Sequence, residues 1–238
     1  MKYVTDTTGR FAERPHFEPA ELDRECENII KMHLKALYGE VRFPVSTDDL
    51  TKLIEGEADS LDIYADLSEF GDGVEGVTEF RSSAKPRVYI NKELSEDPKR
   101  ENRYRTTLTH EYGHVHYHSY LWDFEAKQMS LSTGKKRDNR AICKRSTILE
   151  APQNDWMEWQ AGHVCGAILM PASFVRKIVS DYVEAANAFP PLPASGEHAS
   201  ALIDSVSEQF KVSKDAARIR LLRLKVLGDS LTGKSLFS

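Results

Sequence analysis

The sequence lacks the features of a secreted or membrane-spanning protein. Only three of its 238 residues are cysteines, and Cys26, Cys143 and Cys165 form no CxxC pair. Charged side chains interrupt residues 1–30, so no signal peptide is recognisable, and no later apolar run is long enough to span a bilayer. We therefore expect a cytoplasmic protein with reduced thiols and no membrane segment.

An excess of positive charge is also missing. The formal net charge is −5, which gives the chain no general attraction to nucleic acids or to anionic lipids. The composition, 40% hydrophobic and 29% charged, is that of an ordinary globular protein. The length is sufficient for one main domain with a small helical appendage.

Apolar spacing and the positions of glycine and proline indicate how the chain is organised. Residues 18–38, 99–118 and 155–170 have helical spacing, whereas Arg87–Asn91 has the pattern of a strand. Residues 121–154 have little periodicity and many charges, which predicts a long surface excursion. The predicted segments are a flexible N-terminus at 1–16, a main domain at 17–188, a Pro-rich linker at 189–198, a C-terminal helical pair at 199–228 and a tail at 229–238.

The segment from His110 to His114 is an HExxH motif inside one of the predicted helices. Residues i and i+4 lie one turn apart on the same face, so both imidazoles can bind a single metal ion. Glu111 lies beside them, where it can contact a metal-bound water as a general base. The motif predicts a zinc peptidase with one Zn²⁺ per chain, for which Mn²⁺ is a substitute.

A catalytic zinc site needs three protein ligands, so the third must come from elsewhere in the chain. Tyr120 stands where the longer HExxHxxGxxH motif has its third histidine. Glu158 is the best candidate, because small residues share its helical face and would let its helix approach the motif helix. Two alternatives stay open: Asp155 and Glu158 also fit a capping box, and His163 is the second choice as ligand.

Two further predictions concern the surroundings of the metal. His118 lies two turns beyond His110, near the same face, where it would stabilise the oxyanion, support a ligand or simply be solvated. The strand ahead of the motif helix contains Val88, Tyr89 and Ile90. We expect this strand to be the sheet edge along which an extended peptide substrate binds.

Together these patterns predict an α+β fold. A zincin-like helical domain would have a small, mainly antiparallel sheet beside the HExxH helix, followed by a C-terminal helical pair that resembles a helix-turn-helix. Lys214, Arg218 and Lys225 form a basic stripe on the last predicted helix, which could contact DNA. Because the chain is acidic overall, we favour a pair of helices packed on the main domain and expect no direct DNA binding.

The motifs resemble those of the ImmA/IrrE family of metallo-endopeptidases. The resemblance rests on Ile90-Asn91, on His110–His114 with His118, and on Glu158-Trp159-Gln160-Ala161 leading into Ile168-Leu169-Met170-Pro171. It implies that His110, His114 and Glu158 bind zinc and that Glu111 is the base, so that 17–188 is a zinc metallopeptidase domain. It also implies a protein substrate, namely a helix-turn-helix transcriptional repressor.

Two other functions compete with this interpretation. One is a DNA- or repressor-binding module whose metal site is structural or vestigial, and the other is a metallohydrolase that does not act on peptides. The intact Glu111 favours an enzyme over the binding module, because a structural zinc site has no need of a base.

Overall fold

The computed structural model describes residues 1–129, 139–145, 148 and 155–228, without the side chains of 125–129. These residues form eight α-helices: α1 (Pro19–Tyr38), α2 (Thr47–Glu57), α3 (Lys92–Ser95), α4 (Glu101–Met129), α5 (Trp156–Leu169), α6 (Ala172–Ala186), α7 (Glu197–Phe210) and α8 (Lys214–Arg223). Their strands are β1 (Lys2–Thr5), β2 (Glu13–His16), β3 (Ser60–Ala65), β4 (Val74–Arg81), β5 (Ala84–Asn91), β6 (Arg140–Lys144), β7 (Leu192–Pro193) and β8 (Leu227–Gly228). The α+β class predicted from the sequence is confirmed.

Local sequence signals explain where several helices begin and end. Helix α1 begins with a capping box between Glu18 and Glu21 and ends at Gly39, whose φ of 76° lies in the left-handed region that favours glycine. Ser46 caps α2 by accepting a hydrogen bond from the Asp49 backbone N–H. Ser213 caps α8 in the same way.

The main sheet has the strand order β3-β5-β4-β6, in which β5 pairs parallel with β3 and antiparallel with β4. Strand β5 contains Val88, Tyr89 and Ile90, and its neighbours cover both of its edges. The prediction that these three residues form the substrate-binding edge is therefore wrong. The cause is β4, whose strand pattern Gly76 interrupts in the sequence. In the structure, β4 pairs antiparallel with β5, from Gly76 opposite Ile90 to Arg81 opposite Ala84.

The N-terminal residues are structured, contrary to the prediction of a flexible segment at 1–16. Strands β1 and β2 form an antiparallel pair, and the turn between them is held by Asp6, which accepts backbone hydrogen bonds from Thr8 and Phe11. The Phe11 ring packs edge-on against Trp122 and Trp156. Such contacts join residues more than 100 positions apart, which local sequence patterns do not reveal.

Helix α4 passes through the centre of the molecule, and α2, α5 and β4 pack around it. It continues to Met129, so the first part of the predicted excursion at 121–154 is helical, and Arg140–Lys144 forms β6. The remainder of that prediction lies outside the described residues, apart from Asn139, Arg145 and Ile148. Residues 104–115 are buried on every side of α4, which explains why this part of the helix has no polar face.

The C-terminal helices pack on the main core. One hydrophobic cluster includes Leu108 of α4, Ile168 of α5 and Leu221 of α8. Strands β7 and β8 pair in parallel, which ties the Pro-rich segment to the end of the described chain. Lys225 lies beyond the end of α8, so the predicted basic stripe does not continue along one helix. Every helix among the described residues is too short or too polar to cross a bilayer.

Candidate metal centre

Helices α4 and α5 cross at Gly113, the fourth residue of the HExxH motif. A Cβ atom at this position would lie 2.9 Å from the Cα atom of Ala161, which is closer than such atoms approach in proteins. Beside the crossing, the Thr109 hydroxyl donates to the Cys165 sulfur at 3.2 Å. Small residues on both helices thus allow the close approach that brings side chains of α5 to the motif histidines.

Three side chains converge at this crossing. The Nε2 atoms of His110 and His114 lie 3.2 Å apart, and the two Glu158 carboxylate oxygens lie 3.1 Å from His110 Nε2 and 3.2 Å from His114 Nε2. Zn–N and Zn–O bonds of about 2.0–2.1 Å in tetrahedral geometry separate neighbouring ligand atoms by roughly 3.3 Å. The triangle of donor atoms therefore fits one zinc-sized ion held by His110, His114 and Glu158.

The Glu158 carboxylate is buried and faces the histidines. Burial alone would raise its pKa, but His114 and His110 hold that pKa well below its ordinary range, so the group is an anion. The capping alternative is not realised, because Asp155 makes no side-chain cap hydrogen bond and Glu158 turns to the metal centre. His163 also points elsewhere, with its Nε2 atom 3.0 Å from Asp23 Oδ1.

His118 lies behind His114 and has both ring nitrogens engaged. Its Nδ1 atom is 3.0 Å from His114 Nδ1, and its Nε2 atom is 3.0 Å from Gln160 Oε1. The Pro15 carbonyl can only accept, so it must face the Gln160 amide nitrogen, 3.0 Å away. Gln160 Oε1 then accepts from His118 Nε2–H, and His118 Nδ1 accepts from His114 Nδ1–H, which leaves the His114 Nε2 lone pair free for a metal ion.

Burial supports this assignment of protons. It lowers the pKa of His118 well below the ordinary value, and the neighbouring His114 lowers that pKa further, so His118 is the neutral acceptor that the relay requires. The sequence showed His118 as a candidate but gave no sign of Gln160 or Pro15 as its supports. Pro15 is 145 residues from Gln160 in the chain.

The side chain of Glu111 lies between helix α4, to which it belongs, and strand β4. Its Oε2 atom accepts a 2.5 Å hydrogen bond from the Thr78 hydroxyl, whereas its Oε1 atom is buried with no hydrogen-bond partner among the described residues. Burial raises the pKa of Glu111, although His114, His110 and Thr78 act in the opposite direction. A Cβ atom at Gly76 would lie 2.4 Å from Glu111 Oε1, so a larger residue at this strand position would displace the Glu111 carboxylate.

A comparison with known protein families shows which family the chain belongs to. The model of the Peptidase M78 family, described as the IrrE N-terminal-like domain, matches residues 59–222, which is more than half of the chain. The chain belongs to this peptidase family. The predicted resemblance to ImmA/IrrE is thereby confirmed. No curated protein matches the chain significantly.

The Peptidase M78 match contains every residue of the convergent site, from Gly76 on β4 to Glu158 and Gln160 on α5. It begins after α2, so Pro15 and the N-terminal strands lie outside it. The family assignment and the donor triangle together identify a metallopeptidase-type site with a candidate metal position.

One further member of the site was not predicted. Cys143 lies on β6, fully buried, and its sulfur belongs with a ring nitrogen of His110 and a carboxylate oxygen of Glu111 to a group of ligand-type atoms within 4.8 Å of one another. The sequence analysis treated Cys143 only as a reduced thiol, because nothing local shows that β6 pairs with β4.

Proposed function

We propose that the chain is a zinc-dependent endopeptidase in which His110, His114 and Glu158 hold the metal and Glu111 is the general base. The observation that carries the proposal is the donor triangle with Glu111 beside it: two imidazole lone pairs and a carboxylate converge, and a second carboxylate adjoins them. A zinc ion bound there would activate the attacking water and polarise the peptide carbonyl.

The side chains around this centre have separate tasks. Glu111 Oε2 is held by Thr78, so Oε1 remains available to take the proton of the attacking water and then pass it to the leaving amine. Burial favours the protonated form that this transfer creates. His118 and Gln160 keep His114 in the tautomer whose Nε2 can bind metal. These two are positioning residues.

We further propose a regulatory protein, a helix-turn-helix transcriptional repressor, as the substrate. Membership of the family that this chain resembles supports this part, together with the need of a peptidase for a protein substrate. Direct DNA binding is not part of the proposed function, since the chain carries a net charge of −5 and Lys214 of the supposed stripe pairs with Asp204.

The test is a comparison of metal content and cleavage. Wild-type protein should contain close to one zinc per chain and cleave its helix-turn-helix repressor substrate, which is sought first among the products of the neighbouring genes. Glu111→Gln should keep the zinc but cleave about 10²- to 10⁴-fold more slowly, because it removes a base and not a ligand. Glu101→Gln, an exposed change on the same helix, is the matched control. Undiminished cleavage by Glu111→Gln would refute the mechanism.

A further inference from the structure

Two buried donor atoms beside the proposed zinc site have no hydrogen-bond partner among the described residues. They are His110 Nδ1 and Glu111 Oε1. Buried polar atoms in folded proteins are nearly always paired, so two neighbouring exceptions need an explanation. The zinc ion proposed above would use His110 Nε2, which faces Glu158, and would leave both of these atoms unused. They indicate a second ligand that the described residues do not supply.

Strand β6 brings a third donor to the same place. Cys143 lies opposite Gly76, and residues opposite each other in an antiparallel pair project from the same face of the sheet. Glu111 Oε1 lies on that face, 2.4 Å from the position that a Cβ atom of Gly76 would take. The thiol and the carboxylate therefore approach each other at a strand position that has no side chain of its own.

Cys143, Glu111 and His110 form a donor set that differs from the three-donor triangle. Each offers one ligand atom, these atoms lie within 4.8 Å of one another, and all three residues are fully buried. Zn–S bonds of about 2.3 Å and Zn–N or Zn–O bonds of about 2.0 Å separate ligand atoms by roughly 3.3–3.6 Å, so small side-chain movements complete the geometry. His110 can serve both sets, because its ring has two nitrogens.

We propose that Cys143, Glu111 and His110 form a second metal site, at which a zinc-type divalent cation inhibits the peptidase. The proposal rests on the zinc site and the general base assigned under Proposed function. Thiolate and imidazole ligands select zinc rather than magnesium or calcium, which prefer oxygen. As the ion binds, the Cys143 S–H bond breaks, the sulfur bonds to the metal and the proton passes to solvent. The His110 Nδ1 proton is released in the same way, and the ring bridges the two ions.

Occupation of the second site removes the general base. Glu111 Oε1 is the atom assigned to take the proton of the attacking water, and a cation bound to it blocks that transfer. Because general-base catalysis contributes about 10²- to 10⁴-fold, cleavage should fall at least about 100-fold when the site is filled. The second ion should bind more weakly than the first, since two cations at one centre repel each other. The peptidase is thus active with one metal ion and inhibited by two.

Cobalt titration tests the second site directly. Metal-free protein is titrated with Co²⁺ while the near-ultraviolet sulfur-to-cobalt charge-transfer band is recorded. The first equivalent should bind without this band, since the proposed catalytic ligands include no sulfur, and the second equivalent should produce it. Cys143→Ala should bind the first equivalent only, and Cys143→Ser replaces it if the alanine variant does not fold. Cys165→Ala is the matched control and should behave as the wild type, since Cys165 is equally buried but its sulfur contacts Thr109.

Inhibition of cleavage by zinc is the second measurement. For each protein, the rate with one equivalent of Zn²⁺ is divided by the rate in excess Zn²⁺, so that each variant is its own reference. This ratio should be about 100 or more for the wild type and for Cys165→Ala, and close to one for Cys143→Ala. Excess Mg²⁺ should leave the wild-type rate unchanged, because magnesium does not favour thiolate ligands.

The possible failures are distinguishable. Wild-type protein that binds only one Co²⁺, without the charge-transfer band, would overturn the second site and leave the His110–His114–Glu158 site intact. A band that appears with the first equivalent would overturn the separation of the two sites. Equal inhibition of the wild type and Cys143→Ala by excess zinc would overturn the inhibitory role of Cys143. Wild-type protein that binds no Co²⁺ at all would refute the proposed catalytic metal site, and the second site with it.

Discussion

Helix α5 carries one member of each of two buried histidine–carboxylate clusters. In the candidate metal centre, Glu158 faces His110 and His114, and each of these contacts joins groups that can bind a cation. In the second cluster, His163 contacts Asp23, and the Arg220 guanidinium lies 2.6 Å from the same Asp23 oxygen. The second cluster contains its own cation, whereas the first directs three donor atoms at one point.

The presence of a protein cation distinguishes the structural ion-pair cluster at Asp23 from the candidate metal site at Glu158. Arg220 also donates to the Met170 carbonyl at 2.9 Å, so it joins α8 to α1 and to the end of α5. Burial would raise the pKa of Asp23, but His163 and Arg220 lower it to about 2, so the carboxylate is a stable anion. A histidine–carboxylate pair is thus informative about metal binding only when the protein supplies no cation of its own.

The largest expected effect comes from replacing each of the two α5 residues, Glu158 and His163, with alanine. Glu158→Ala should abolish stoichiometric zinc binding, because it removes one of three converging donors. His163→Ala should keep close to one zinc per chain, because its ring faces Asp23 on the other side of α5. Metal analysis after dialysis measures both. Zinc retained by Glu158→Ala and lost by His163→Ala would reverse the assignment.

Arg220→Met should damage the other cluster. It leaves Asp23 with only His163 in a buried position, and breaking a buried ion pair costs about 3–5 kcal/mol of unfolding free energy. Denaturant unfolding of the metal-free protein gives this value. Arg218→Met, an exposed change on the same helix, should be nearly neutral. Equal effects of the two changes would show that the Arg220 pair contributes little.

A smaller effect on zinc binding is expected for Gln160, which supports the candidate ligand His114 through His118. Gln160→Met removes the acceptor that orients His118, and through it His114, and should weaken zinc binding about 10- to 100-fold with little change in fold. Competition with a chromogenic chelator measures the affinity. Gln209→Met, on the exposed face of α7, is the control. An unchanged affinity would mean that His114 needs no such support.

Acid titration should show the smallest effect. The pKa of Asp23 is about 2 in the folded chain against 3.8 in the unfolded chain, so its contribution is complete above pH 3.8 and is lost as the pH falls through 2. This lowering corresponds to about 2 kcal/mol. The difference in unfolding free energy between the wild type and Asp23→Asn should shrink by that amount across this window. A constant difference would contradict the Asp23 pairing.

The features of the candidate site that were predicted correctly from the sequence depend on short-range geometry. The spacing of His110 and His114 places both on one helical face, and small residues on the Glu158 helix indicated a close approach that Ala161 now provides. Two other small residues of this helix, Gly162 and Gly166, instead lie near the Ile148 carbonyl and the Arg220 side chain. Periodicity shows which residues share a face, but not which element that face contacts.

Several of the missed features depend on strand order. Thr78, Gly76 and Cys143 reach the site because β4 lies between β5 and β6, an arrangement that neither strand pattern specifies. For the same reason, Val88, Tyr89 and Ile90 were predicted to form a sheet edge, whereas they lie in the interior of the sheet. Pairing between strands separated by more than fifty residues leaves no local periodicity by which to recognise it.

The carbonyl of Pro15 has a consequence for any attempt to define the smallest active fragment. A fragment that begins at residue 17 would retain all of the matched family segment, 59–222, and each residue that faces the metal position. It would nevertheless lose the Pro15 carbonyl, the acceptor that sets the orientation of the Gln160 amide in the described structure, and with it the preferred tautomer of His114. The boundaries of the family match are therefore narrower than the part of the chain that builds the candidate metal centre.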